Sequence, residues 1–155
     1  MNKAKILESL KKAKEAHEAQ MVRLQNLIDS GEVVDYKKVA QKQCPVSKTI
    51  CDFGQWLYGE ENHIEELVGE LFYKELETLH AQWHIEYVKV FKILFNPEGK
   101  GLFSKLLSHD NKIDELELDK AKTYLKDMQK ITEKLLATLT TCERRLNAMS
   151  DSRFE

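Results

Sequence analysis

The feature that most constrains this chain is a long repeat of mostly apolar residues in its C-terminal third. The repeat runs from position 118 to position 149 with spacings that alternate between three and four residues. Its members are Leu118, Ala121, Leu125, Met128, Thr132, Leu135, Leu139, Cys142, Leu146 and Met149. Such spacing aligns side chains on one stripe of an α-helix and forms a heptad seam. It predicts a helix over 114–149 whose seam, at ~1.5 Å per residue, is roughly 48 Å long.

The rest of the sequence predicts helices that can cover this seam. They span 2–30, 45–58 and 69–95, with a short helix over 60–68 that ends at the break expected at Gly69. Six glycines and two prolines in 155 residues are too few for the turns of a β-sandwich or barrel, and no strand pattern is present. The sequence therefore predicts an all-α fold, an antiparallel four-helix bundle with short extra helices in the connections.

Length and charge limit the domain organisation and the partners. The predicted organisation is a single domain over 1–150 followed by a tail over 151–155, with the 96–113 segment outside any site and available as a contact surface. The formal net charge of −2 gives no reason to expect nucleic acid or an anionic membrane as a partner. Neither a membrane-spanning apolar run nor a secretory signal is recognisable, so we expect a cytoplasmic protein with reduced cysteines.

Two histidines carry the first indication of chemistry. His80 and His84 are four residues apart, and on a helix that spacing places both imidazoles on one face. His17 and Cys51 are also predicted at inward, mid-helix positions. At ~1.5 Å per residue, His17, Cys51 and His80 lie about 22, 10 and 16 Å from one end of the bundle, provided that the third long helix starts at Gly69. Helix offsets can absorb that spread, and three imidazoles with one thiolate suit Zn²⁺.

The residues around Cys51 carry a family resemblance. Cys51-Asp52-Phe53-Gly54-Gln55-Trp56, followed by His80-x-x-x-His84 and preceded by His17, resembles the pattern of the chemoreceptor zinc-binding (CZB) domain. The resemblance implies that His17, Cys51, His80 and His84 ligate zinc. Gln20 departs from the pattern, because the family usually has an aromatic or aliphatic residue there.

Several residues keep a second interpretation. His17 could be a core histidine bonded to a backbone carbonyl, and Cys51 a small buried hydrophobe. Asp52 is either a hydrogen-bond acceptor that orients a ligand histidine or a solvated carboxylate. Cys44 is predicted to be a free thiol, with a Cys44–Cys51 disulfide as the weaker alternative. Gly54, inside a predicted helix, costs about 0.5–1 kcal/mol relative to alanine and indicates close approach of a neighbouring backbone.

A zinc site with four protein ligands has no open position for substrate, and no nucleophile–base pair or phosphate loop is present, so we expect no enzymatic activity. The resemblance implies a regulatory domain of bacterial signalling, of chemotaxis or cyclic-di-GMP type. Such a domain senses zinc or oxidants such as hypochlorous acid through its zinc-bound cysteine, with Cys51 as the redox switch. The expected partners are a second copy of the chain and a chemoreceptor or diguanylate cyclase, in trans or fused. The alternatives are a purely structural zinc bundle that serves as an interaction module, and a hemerythrin-like diiron protein.

Overall fold

The structure, a computed structural model, describes residues 2–34, 46–59, 63–95 and 112–154. These residues form five α-helices: α1 Lys3–Ser30, α2 Asp52–Leu57, α3 Ile64–Val68, α4 Glu70–Leu94 and α5 Glu115–Ala148, with a 3₁₀ turn at Asp151–Arg153. Across these ranges the only extended pairing is an isolated bridge between Glu32 and Lys112, so the all-α prediction is confirmed. No described helix has both the length and the apolar composition needed to cross a bilayer.

Local sequence signals set the ends of α1. The Asn2 side chain accepts a hydrogen bond from the Ala4 N–H at 2.8 Å and caps the first turn. Gly31 ends the helix in the left-handed region at φ +66°, and its N–H donates to the Ile28 carbonyl. The residues at three- and four-residue spacing that face inward from α1 are buried along its whole length, and they include His17, as predicted.

Helix α5 is antiparallel to both α1 and α4. Lys3, at the start of α1, donates to the Met149 carbonyl beyond the end of α5, and Lys14 forms an ion pair with Glu143. Arg145 near the end of α5 lies over the ring of Phe72 near the start of α4, and Lys89 late in α4 lies over the ring of Tyr124 early in α5. Helices α1 and α4 are therefore parallel to each other, and the buried seam of α5 covers both.

Helix α2 is shorter than predicted, because the helix expected from residue 45 begins only at Asp52. Residues 46–51 instead form turns, in which the Ser47 carbonyl accepts hydrogen bonds from the backbone N–H groups of Ile50 and Cys51. Cys51 is thus the N-cap of α2, and its predicted mid-helix position is wrong. The predicted start at residue 45 relied on the fixed φ of Pro45, which suits the first turn of a helix. It did not consider that the side chain of Cys51, six residues later, could cap the helix instead.

The short helix predicted over 60–68 begins only at Ile64, because His63 before it is in the left-handed region at φ +47°, and the remaining boundaries agree with the sequence to within about one residue. A break separates α3 from α4 at Gly69, whose φ of +90° favours glycine, so the predicted restart of the helix is confirmed. The predicted tail packs in its described part, because Phe154 is only 7% exposed and Lys3 lies over its ring. Cys44 and residues 96–111 of the 96–113 segment lie outside the described residues.

Candidate metal centre

Three imidazoles meet in the core between α1 and α4. His17, His80 and His84 each offer one ring nitrogen, and these three atoms lie within 4.8 Å of one another. None of the three side chains is more than 3% exposed. The parallel packing of α1 and α4 brings the middle of each helix to the same level, so His17 reaches the pair that the four-residue spacing already aligns.

Backbone carbonyls orient two of the three rings. The Nδ1–H of His17 donates to the Ala13 carbonyl at 2.6 Å, and the Nδ1–H of His84 donates to the Val46 carbonyl at 2.9 Å. A carbonyl oxygen can only accept, so the proton of each neutral ring is on Nδ1. The Nε2 lone pairs are consequently free, and the buried Nε2 of His17 has no hydrogen-bond partner among the described residues.

His80 lies between the other donors. Its Nε2 is 3.1 Å from Nε2 of His84 and 3.3 Å from Sγ of Cys51, while its buried Nδ1 has no partner within the described ranges. A proton on Nε2 of His80 can be donated either to Nε2 of His84 or to Sγ of Cys51, but not to both. Buried polar atoms are normally paired, so the unpaired Nε2 of His17 within this cluster indicates a site built for a cation.

Cys51 joins the cluster through His80 and not through all three rings. Its Sγ caps α2 by accepting a hydrogen bond from the Gly54 N–H at 3.1 Å, and its thiol donates to the Lys48 carbonyl at 3.5 Å. The side chain is 3% exposed and is not in a disulfide. Burial raises the pKa of this thiol, and the Gly54 N–H acts in the opposite direction by stabilising the thiolate.

Gly54 is required where the turn 46–51 crosses α2. A Cβ at this position would lie 1.6 Å from the Lys48 carbonyl oxygen and 3.2 Å from Cε1 of His80. The close backbone approach predicted from the sequence is therefore confirmed. It presses the turn that carries Val46 and Cys51 against α2 and next to the imidazoles.

Burial keeps the imidazoles neutral. It lowers the pKa of His80 to about 2, with the neighbouring His84 adding to the effect, and lowers the pKa of His84 to about 4. The pKa of His17 is also lowered by burial, although its bond to Ala13 works against the shift. Neutral imidazole is the form that binds a metal, so the site is in its ligating state at neutral pH.

The donor set fits zinc. A tetrahedral ion with metal–nitrogen bonds of ~2.0–2.1 Å separates its ligands by ~3.3 Å, close to the spacing of His80 from both His84 and Cys51. Of the three imidazoles, His17 is the one that would have to move closer to the other two for all three to bind one ion. Three neutral nitrogens and one soft sulfur favour zinc over magnesium or calcium, which prefer oxygen ligands.

The structure bears on Asp52 and adds contacts that the sequence did not indicate. Asp52 is exposed at the start of α2, and backbone carbonyls occupy Nδ1 of both His17 and His84, so its role in orienting a histidine stays a prediction beside the solvated alternative. Gln20, the departure from the family pattern, is 3% exposed and donates to the Tyr87 hydroxyl at 2.9 Å. The buried hydrogen bond between α4 and α5 could have been predicted from Thr132, because it is the one polar residue in the apolar seam over 118–149.

Comparison with known proteins supports the resemblance stated from the sequence. Residues 17–91 match the family model of the chemoreceptor zinc-binding domain, and this range includes all four predicted zinc ligands. No curated protein and no solved structure matches the chain.

Proposed function

Residues 17–91 belong to the chemoreceptor zinc-binding domain family, and from this premise we propose that the chain is a zinc-binding regulatory domain of bacterial signalling. Its ligands are His17, Cys51, His80 and His84. The observation that carries the proposal is the convergence of three buried imidazoles, with Nε2 of His17 left unpaired, beside the sulfur of Cys51. Leaving such atoms unpaired is costly unless a ligand satisfies them.

The residues around the site suit regulation better than catalysis. Four protein ligands complete the tetrahedral coordination of a zinc ion and leave no open position for a substrate. Phe53 and Trp83, 6% and 0% exposed, cover the imidazoles with aromatic rings. We therefore propose a non-enzymatic role, in which the ligands join α1, the start of α2 and the middle of α4. In this arrangement α2 and the turn before it act as the fourth member of the predicted four-helix bundle.

Cys51 is the proposed redox switch. Bound zinc holds a coordinating cysteine as thiolate at neutral pH. Hypochlorous acid oxidises such a thiolate by two electrons, forming a sulfur–oxygen bond and giving sulfenic acid with release of chloride. Sulfenic acid is a poorer ligand, so the site loses its only anionic member. The 46–51 turn, held to the site by Cys51 and Val46, is then free to move.

The proposed setting is a cytoplasmic homodimer that acts on a chemoreceptor or a diguanylate cyclase, in trans or fused. A purely structural zinc site is the second candidate, because the same ligands would cross-link three segments of the chain without responding to a signal. The two differ in how the metal responds. A sensor releases zinc to oxidant or to a chelator of moderate affinity, whereas a structural site retains it until the protein unfolds.

Metal analysis of purified variants tests the proposal. We expect one zinc per chain in the parent protein, and loss of stoichiometric zinc in Cys51→Ala and His17→Ala. His63→Ala is the matched control, because this histidine is exposed and lies outside the cluster. Full zinc content in Cys51→Ala would remove Cys51 from the ligand set. A parent protein without stoichiometric metal would refute the proposal.

A further inference from the structure

We propose that Trp83 and Thr132 form a link that transmits the state of the metal site to α5, with Trp83 acting as a positioning residue for His17. The inference rests on the proposed function, because it concerns what the filled site does to the rest of the fold. It starts from a buried polar contact that the site itself does not require. The Trp83 side chain is 0% exposed, yet its indole N–H is paired across the helix interface.

Trp83 lies directly against two of the imidazoles. Its ring is 4.6 Å from that of His17 and 5.0 Å from that of His84, centroid to centroid, and both pairs are edge-to-face. Edge-to-face pairs at this distance restrict the orientation of both rings. The Ala13 carbonyl sets the tilt of the His17 ring through Nδ1, and Trp83 limits its movement from the side. A shift of His17 therefore displaces the indole.

Thr132 connects the indole to the long helix. The Trp83 N–H donates to Oγ1 of Thr132 at 2.9 Å, and the Thr132 hydroxyl donates to the Met128 carbonyl at 2.7 Å. Thr132 is 6% exposed and occupies a position of the α5 seam that is otherwise filled by apolar residues. A buried hydroxyl needs a hydrogen-bond partner, so Thr132 fixes which side chain of α4 lies opposite it. A leucine at this position would not require one particular partner.

The imidazoles differ in how far they have to move. Nε2 of His80 and Nε2 of His84 are already 3.1 Å apart, so among the three imidazoles the change on filling the site falls mainly on His17. Because Trp83 packs against His17 on one side and is hydrogen-bonded to Thr132 on the other, that change reaches α5 through one contiguous path. Gln20 and Tyr87 join α1 to α4 separately and do not involve α5 in their hydrogen bond.

The test is hydrogen–deuterium exchange of the full chain with and without stoichiometric zinc, read at the amides of 128–139. In the parent protein, zinc should slow exchange there. Thr132→Val should bring the ratio of exchange rates with and without zinc close to one. It should still bind one zinc, about two- to tenfold more weakly, which is the effect of one buried hydrogen bond. Trp83→Phe removes the same bond from the other side and should give the same result.

Two variants separate this link from general destabilisation. Thr132→Ser keeps the hydroxyl and should retain the parent response. Thr123→Val makes the same substitution at an exposed position of α5 whose hydroxyl donates only to its own helix, and it should behave as the parent. Should Thr132→Val fail to fold, Trp83→Phe and Thr132→Ser decide the outcome.

The possible failures point to different steps. A parent that binds zinc but shows no change over 128–139 overturns the link and leaves the proposed function intact. The same holds if Thr132→Val or Trp83→Phe keeps the full zinc-dependent difference. A parent that takes up no zinc refutes the proposed function and this inference together.

Discussion

Replacing Gly54 by alanine should disable the site without removing any ligand. The added Cβ would lie 1.6 Å from the Lys48 carbonyl oxygen and 2.8 Å from the carbonyl carbon. Ordinary contact needs about 3.4 Å, so the turn and α2 would have to separate by roughly 1.8 Å. No rotamer change can relieve this overlap, because the Lys48 atoms belong to the backbone. The separation would carry the Cys51 sulfur away from His80, with which it is now in contact at 3.3 Å.

The effect of Gly54→Ala on the free energy of unfolding has two opposing terms. Overpacking of a close contact costs about 1–3 kcal/mol, whereas glycine to alanine in a helix gains up to about 1 kcal/mol. A net loss of about 1–2 kcal/mol lowers the Tm of a chain of this size by about 2–8 °C. In addition, movement of Cys51 should weaken zinc binding at least about tenfold, since a hydrogen-bonded, preorganised ligand is lost.

Thermal unfolding with and without chelator, together with chelator competition for zinc, measures both effects. Gln129→Ala is the control, because it places an alanine at an exposed position of α5, outside both α2 and the 46–51 turn. If Gly54→Ala bound zinc within about twofold of the parent and unfolded at the same temperature, the claim that this crossing positions Cys51 would be wrong.

Three further predictions concern pH, oxidant and assembly. Burial lowers the pKa of His84 to about 4 and that of His80 to about 2 from the ordinary value of 6.5, so the unfolded chain takes up protons that the metal-free fold cannot. The metal-free protein should therefore lose stability as the pH falls below 6.5, by about 1 kcal/mol per pH unit for each histidine until its folded pKa is reached, and urea midpoints independent of pH would contradict this. Hypochlorous acid should release zinc to a chromogenic chelator and change tryptophan fluorescence in the parent; the same response in Cys51→Ser, or one that depends on Cys44, would exclude Cys51 as the switch. Light scattering should show a homodimer, with twice the 18.1 kDa mass of one chain, at micromolar concentration, and a stable 18.1 kDa species would count against it.

Periodicity predicted the parts of this fold that repeat. The seam of α5 follows from spacing alone, and Gly31 and Gly69 mark helix ends that local backbone conformation requires. The four-residue spacing of His80 and His84 similarly predicted that their rings would share a face. In each case one helix holds all the information that the prediction needs.

Predictions that depend on contacts between helices were weaker. The late start of α2 depends on Cys51 capping its own helix and on the Lys48 carbonyl packing against Gly54, and neither contact is visible as a period. Gln20 is polar and departs from the family pattern, so nothing in the sequence indicated that it is buried. It is buried because the Tyr87 hydroxyl faces it from α4 and accepts its hydrogen bond. Asp52 has the chemistry of a histidine partner, but the backbone carbonyls had already taken that position on two rings.

Zinc K-edge X-ray absorption of the purified protein, beside Cys51→Ala, tests the central claim most directly, because it distinguishes sulfur from nitrogen ligands around the bound ion. The parent should contain one zinc per chain with one sulfur at ~2.3 Å and three nitrogens at ~2.0–2.1 Å, and whatever zinc Cys51→Ala retains should lack the sulfur shell. A parent spectrum without a sulfur shell, or a metal content far below one zinc per chain, would contradict the account.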